Sequence, residues 1–409
     1  MSTRIVILGG GQAGYLLFSK LACRRDEEIE VTLIEQKARH ELHHLLHLYA
    51  VGLVDTSEVS RPIDAMLRTT RLVHDEVMDI DPENNRVIGR RTSTPYDLLV
   101  IALGAMVDFR GVEGAAKHAL PLRSIADAER IRCSVRNLVL TGSRHSIVVV
   151  GGGPSGVSLA STLADVTANE CTSSEHTNLI LVEDGDSLLK GWGPLFRDRT
   201  ESILREKEVY IACGAPVERV DESSVTTSTG TFRSSLTLWT AGVKAPGCIR
   251  PEIFEWSQGG RLVVDDHCRV SHHSNIFAIG DVSYPLHPDG RSFPQCSQLA
   301  VTQAHYLAEA LCSLVDGRPV EPFQCGDWRS SRALLVGKDR FVSQIDEHVL
   351  SGSFEEITAE LSRLARTAPE LLPYLDTLLK EELERRKREL AFLERKLAHE
   401  LGHRPTGSV

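Results

Sequence analysis

One motif is written twice in this chain. Residues 5–17 read IVILGGGQAGYLL and residues 148–160 read VVVGGGPSGVSLA. Each is an apolar run, then Gly-x-Gly-x-x-Gly, then a second apolar run. In such a loop the first glycine permits a tight turn, and the second lets the backbone approach a pyrophosphate. The third lets the following helix pack on the strand. Amides at the helix N-terminus then face the phosphate charge. A chain that builds this twice must supply two strand–turn–helix units, and therefore two parallel sheets.

The flanking sequence meets that demand. RIVIL (4–8), VTLIE (31–35) and DLLVIALG (97–104) read as buried strands, with a helix over 14–24 between the first two. HSIVVVGGG (145–153), NLILVE (178–183) and LTLWTAG (236–242) form a second set, and RLVVD and NIFAIGD (275–281) add further strands. IADAERIRCSVRNLVL reads as the helix between the two units. This alternation is the pattern of α/β folds with parallel sheets.

The first loop is Gly9, Gly11 and Gly14, and Glu35 ends the next strand. The second is Gly151, Gly153 and Gly156, and Glu183 ends its next strand. An acid at that place accepts hydrogen bonds from ribose hydroxyls and repels a 2′-phosphate, so NADH is expected over NADPH. Two cradles imply two dinucleotides. The economical pairing is a tightly held FAD and an exchangeable NADH, stacked so that a hydride crosses directly.

Composition removes other classes. The chain has 409 residues, 42% of them hydrophobic and 25% charged, which suits two or three globular domains. A net charge of −10 argues against nucleic acid as a partner. The sequence shows neither a secretory h-region nor an 18-residue apolar run. Its nine cysteines include no Cys-x-x-Cys or Cys-x4-Cys, the pattern of a reduced, cytosolic protein without a structural zinc site.

From residue 4 to about 352 the chain resembles the two-dinucleotide-binding-domain flavoproteins, and more closely the type II NADH dehydrogenases, single-subunit NADH:quinone oxidoreductases. The stretches that carry the resemblance are YAVGLVDTSEVSRPI (49–63), DLLVIALGA (97–105), HALPLRSIADAERIR (118–132), LWTAGVKA (238–245), GRLVVDDHCRV…NIFAIGDVS (260–283) and FPQCSQLAVTQAHYLAEAL (293–311). It implies two Rossmann-like domains with the NADH domain inserted in the FAD domain: 1–115 and 255–325 for FAD, 116–254 for NADH, and a helical C-terminal extension over 326–409. It also implies that Ala102, Gly104 and Asp281 contact the flavin, Asp281 through the ribityl chain, and that Gly242 contacts NADH. Gln298, Thr302 and Gln303 are implied on the side of a quinone or quinone-like acceptor.

Three departures stand out. The family usually places a glutamate at the position of Ser158, facing nicotinamide and flavin. The family's second acceptor-side glutamine is replaced by Thr302, with Gln303 one residue late. The apolar C-terminal anchor is replaced by a charged stretch. In that stretch Leu375, Leu378, Leu379, Leu383, Leu390, Leu393, Leu397 and Leu401 line one helical face among ERRKRE and ERK. The mixed charges suit packing on the chain itself or in a homodimer better than peripheral contact with the inner face of a membrane, which usually needs a cationic face.

His40, His43, His44 and His47 fall at a spacing that could chelate zinc, but a flavin-side structural role is the stronger reading, and no metal is expected. Cys296 reads first as a small buried residue. Three alternatives stay open: a soluble flavoprotein reductase with another acceptor, a sulfide:quinone reductase-like enzyme drawing on cysteines such as Cys171 and Cys325, and a redox-sensing flavoprotein.

Overall fold

A computed structural model describes residues 2–23, 28–63, 70–140, 145–170, 177–257, 259–286, 290, 292–293, 295–324, 331–345 and 348–364. The leucine-faced stretch 374–401, Cys171 and Cys325 lie outside these residues.

The first glycine loop joins β1 (Thr3–Leu8) to α1 (Gln12–Ala22). β1 carries Ile5, Val6, Ile7 and Leu8, none more than 1% exposed. A strand apolar on both faces needs cover on both, as parallel sheets have. β1 is flanked by β2 (Ile29–Ile34) and β4 (Leu98–Ile101), with β3 (Thr70–Val73) beyond β2. The fifth strand, β10 (Ile276–Ala278), arrives from far along the chain and pairs with β4, giving the all-parallel order β10-β4-β1-β2-β3.

Between these contributions the chain builds a second all-parallel sheet. It comprises β5 (Ala119–Pro121), β6 (Ser146–Val150), β7 (Asn178–Val182), β8 (Val209–Ala212) and β9 (Leu236–Trp239), in the order β5-β9-β6-β7-β8. Its helices are α2 (Ile125–Leu140), α3 (Pro154–Glu170) and α4 (Pro194–Glu206). β6 sits at the centre, as β1 does in the first sheet. In an open parallel sheet the crevice at such a point, beyond the strands' C-terminal ends, is where ligands bind.

Two further pieces pack on the second unit, the first of them contributed by the first unit. A short helix at Leu46–Ala50, from the first unit, buries Leu46, Tyr49 and Ala50 in the core of the second. Tyr49 Oη donates to Glu129 Oε2 on α2 at 2.6 Å, and the Arg132 guanidinium lies 5.1 Å from the Tyr49 ring centre. The helical extension expected over 326–409 is corrected at its start, which is an antiparallel sheet, β11 (Ser331–Leu335), β12 (Phe341–Ile345) and β13 (His348–Gly352), with helix only afterwards in α6 (Phe354–Leu364). Leu334, Val336 and Val342 join the apolar core of the second unit. Arg340 pairs with Glu206 at 2.7 Å, and Lys207 pairs with Asp165. Helix α5 (Ser297–Val315) packs along α1. Among the described residues no helix is long and apolar enough to cross a membrane.

The His40–His47 segment is not one helix. His40 lies in a short strand, Arg39–Glu41, and His47 in the helix that enters the second core. His47 is 7% exposed, and its Nε2 has no hydrogen-bond partner among the described residues. Burial pushes its pKa down from 6.5 to about 4. The unfolded chain therefore binds a proton that the folded chain refuses, so His47 costs stability as pH falls from about 6.5 towards 4. Between pH 7 and 5 its share is about 2 kcal/mol. Urea unfolding of the unaltered chain and of His47→Leu at both pH values should show the variant losing less stability on acidification. Equal losses would contradict the assignment.

Candidate active site: two matched cradles

Both glycine loops are built by register. Leu8 pairs with Ile34 on one side and Ile101 on the other, so Gly9, Glu35 and Ala102 leave the sheet together. Val150 pairs likewise with Val182 and Trp239, bringing out Gly151, Glu183 and Thr240. The ladder continues one step into each turn: Gly9 N–H donates to Ile34 O at 2.9 Å and Gly151 N–H to Val182 O at 2.7 Å.

The glycines are demanded by this geometry. Gly9 has φ +95° and Gly151 φ +108°, backbone that side-chain-bearing residues rarely adopt. A Cβ on Gly14 would collide with the Gly9 carbonyl, and one on Gly156 with the Gly151 carbonyl. At Gly11 and Gly153, by contrast, a Cβ would meet nothing within 4 Å. There the absent side chain opens space above the turn, at the start of α1 and α3. That open volume, facing helix N-terminal amides, fits a pyrophosphate.

Each acid closes its cradle in the same way. Glu35 Oε2 accepts from Gly10 N–H at 2.6 Å and its Oε1 from Lys37 N–H at 2.8 Å. Glu183 Oε2 accepts from Gly152 N–H at 2.5 Å and its Oε1 from Gly185 N–H at 3.0 Å. In the second cradle the next residue, Asp184, is also acidic. Burial raises the Glu183 pKa, whereas a hydrogen bond with Glu183 and the nearby Arg110 lower that of Asp184. The first cradle has its own brace. His40 Nδ1–H donates to Gly10 O at 2.8 Å, and its ring stacks on Tyr15 at 4.8 Å, with burial lowering its pKa.

Asp281 lies in the turn after β10, where its carboxylate accepts from Arg123 Nη2 at 2.7 Å. Arg123 Nε also donates to Ala105 O at 3.2 Å, so one guanidinium joins the turn after β4 to the turn after β10. Ala102 packs against Gly14, and Gly104 lies beside Arg123. No local motif marks Arg123, whose partners lie 18 and 158 residues away in the chain.

Gln303 lies on the buried side of α5. It is 0% exposed and faces inward from α5. Its Oε1 accepts from Gly280 N–H at 2.8 Å, and its Nε2 donates to Ser283 Oγ at 3.1 Å. It braces the Asp281 turn from behind. Gln298 and Thr302 share an exposed edge of α5, one helical turn apart, with Thr302 Oγ1 donating to the Gln298 carbonyl at 2.9 Å. Ser158 is 4% exposed and donates to Leu335 O at 2.7 Å, tying α3 to the C-terminal sheet. Cys296 caps the start of α5, half-buried, with its thiol pKa raised by burial.

Two parallel sheets, each with a glycine cradle at its central strand and an acid at the next, define an oxidoreductase fold that holds two nucleotides. The chain belongs to the pyridine nucleotide-disulphide oxidoreductase family, whose pattern matches residues 3–304. It is 28% identical over 359 residues to the type II NADH:quinone oxidoreductase Ndh of Mycobacterium tuberculosis, covering 79% of this chain and 76% of that protein. It is 25% identical over 345 residues to the type II NADH:quinone oxidoreductase of Staphylococcus aureus, covering 79% and 85%. In fold it is similar to NDH2 from Plasmodium falciparum, solved in complex with NADH: TM-score 0.78, 18% identity, 90% of this chain and 95% of that one. It is also similar to the sulfide:quinone oxidoreductase of Aquifex aeolicus: TM-score 0.73, 16% identity, 86% and 87%.

The two glutamines make opposite predictions. Gln303→Leu strands the buried Gly280 N–H, which should cost about 2 kcal/mol and loosen flavin retention. Gln298→Ala, at an exposed position, should stay within about 0.5 kcal/mol of the unaltered chain. Denaturant unfolding of both variants checks this, and a neutral Gln303→Leu would refute the bracing role.

Proposed function

We propose that the chain is an FAD-dependent NADH dehydrogenase that passes electrons from NADH, through the flavin, to a quinone or quinone-like acceptor. The observation carrying this reading is the pair of matched cradles, each with its own acid held by a loop amide, that of Gly10 or Gly152. The named relatives support the quinone as acceptor. In the proposed division, 1–115 and 255–325 hold FAD, 116–254 hold NADH, and 326–409 form the C-terminal part.

When bound, the nicotinamide supplies a hydride and the flavin a ring able to accept it. The chain's residues bind and orient. Amides of the Gly9–Gly14 turn and of α1 face the flavin's pyrophosphate, and those of the Gly151–Gly156 turn and of α3 face that of NADH. Glu35 and Glu183 accept ribose hydroxyls. Asp281 accepts from the ribityl hydroxyls, with Arg123 fixing its orientation, while Ala102 and Gly104 border the flavin and Gly242 borders NADH. Gln298 and Thr302 flank the acceptor. Thr302 already donates its hydroxyl to the helix backbone, so it offers no substitute for an amide. That observation favours the second reading, a reductase serving another acceptor. In either reading we place the chain in the cytoplasm, and in the quinone reading at the inner membrane face, with the charged tail free to pack in a homodimer. Flotation with vesicles of the full chain, and of a chain ending at residue 364, tests the membrane contact.

Anaerobic addition of NADH to the purified yellow protein should bleach its visible absorbance in one turnover, and a soluble quinone should restore it. Bleaching without recovery on quinone would transfer the assignment to the second reading. A chromophore unchanged by NADH would refute both.

A further inference from the structure

The second cradle carries an ion pair that its nucleotide would have to rearrange. Arg110 lies in the turn that follows a two-residue strand, Met106–Val107, itself paired with Val243–Lys244 beyond β9. This turn is firmly seated. Asp108 N–H donates to Gly242 O at 3.1 Å, Trp239 Nε1 donates to Asp108 O at 2.9 Å, and Arg110 N–H donates to Asp108 Oδ1 at 3.0 Å. Arg110 holds φ +51°, which fixes where its side chain departs.

That side chain spans the crevice. At one end it lies over Gly242, where a Cβ would sit 2.8 Å from Arg110 Nε. At the other, Arg110 Nη1 donates to Asp184 Oδ2 at 2.8 Å. Gly242 follows β9 and Asp184 follows β7, and the strand between them is β6, whose end opens into the Gly151–Gly156 loop. The guanidinium therefore lies across the mouth of the second cradle, at the sheet's switch point, where a dinucleotide enters. Both partners are 53% exposed, so the pair is weakly held and free to exchange.

We propose that Arg110 and Asp184 form an exchangeable latch that sets nucleotide affinity and preference: dinucleotide pyrophosphate takes Arg110 from Asp184, and the freed Asp184 accepts the ribose 2′-hydroxyl and rejects a 2′-phosphate. This rests on the NADH reading of the second cradle. The turn's backbone stays in place, and only the Arg110 side chain swings. Asp184 then adds to Glu183 as the discriminating acid, in keeping with the burial that makes Glu183 the harder of the two to ionise. Guanidinium suits this exchange because it pairs equally with carboxylate and phosphate oxygens.

The test is calorimetric binding of NAD⁺, NADP⁺ and adenosine to the flavin-loaded protein, where no turnover occurs. Arg110→Gln should weaken NAD⁺ about tenfold and strengthen adenosine, which has no phosphate and gains an already freed Asp184 for its 2′-hydroxyl, and Arg110→Lys should reverse most of both changes. Asp184→Asn should lower the NADP⁺-to-NAD⁺ ratio of dissociation constants at least tenfold. Melting temperatures should be unchanged, since the pair is half-exposed. NAD⁺ affinity unaltered in Arg110→Gln, an equal loss for adenosine, or an unaltered ratio in Asp184→Asn would each overturn the latch. If the unaltered protein binds neither NAD⁺ nor NADH, it is the proposed function that falls.

Discussion

Everything in this molecule depends on where three adjacent parallel strands stop. In each sheet the central strand and its two neighbours end in register, and the main-chain ladder runs one residue past the sheet into the turn. That last bond fixes the turn, the turn aims the helix, and the helix presents its free amides at one place. Only glycine permits it, because the turn needs positive φ at its first residue and backbone contact at its last. The acid on the neighbouring strand then accepts from the amide of Gly10 or Gly152, so acid and turn are held as one unit.

Holding two such units in a constant relation is a separate problem, and the chain solves it with packing more than with charge. The Leu46–Ala50 helix of the first unit gives up its apolar face to the second core, on which the C-terminal sheet also packs. Polar groups specify this arrangement: Ser158 reaches Leu335, and Arg123 spans the turns after β4 and β10. Ser158 is thus part of the scaffold, buried and bonded to the C-terminal sheet.

The sequence was legible where one physical rule dominated. Runs such as IVIL and IVVV, apolar on both faces, can only be buried parallel strands, and the α2 helix was read over the residues it occupies. Glycine spacing and the trailing acids located both cradles. What escaped were relations across long separations. Ser158 and Leu335 are 177 residues apart, Arg123 and Asp281 are 158 apart, and Arg110 and Asp184 are 74 apart. No local pattern encodes such pairs. The burial of Gln303 beside the more exposed Thr302 follows from the turn of about 100° that one residue makes on a helix, which spacing in the sequence does not display. The C-terminal sheet falls where a helical extension was expected, since its short strands mix polar and apolar residues.

The central claim is that the cradles are separate sites for different dinucleotides. Gly11 has φ −69° and ψ −172°, and a side chain there or at Gly153 meets open space, so valine at either position is accommodated in the fold while filling the phosphate volume. The decisive measurement is the FAD and NAD⁺ content per chain in Gly11→Val and Gly153→Val. The account predicts that the first variant loses FAD, and that the second keeps one FAD per chain and fails to bind NAD⁺. Loss of the same ligand from both, or of neither from either, would contradict it.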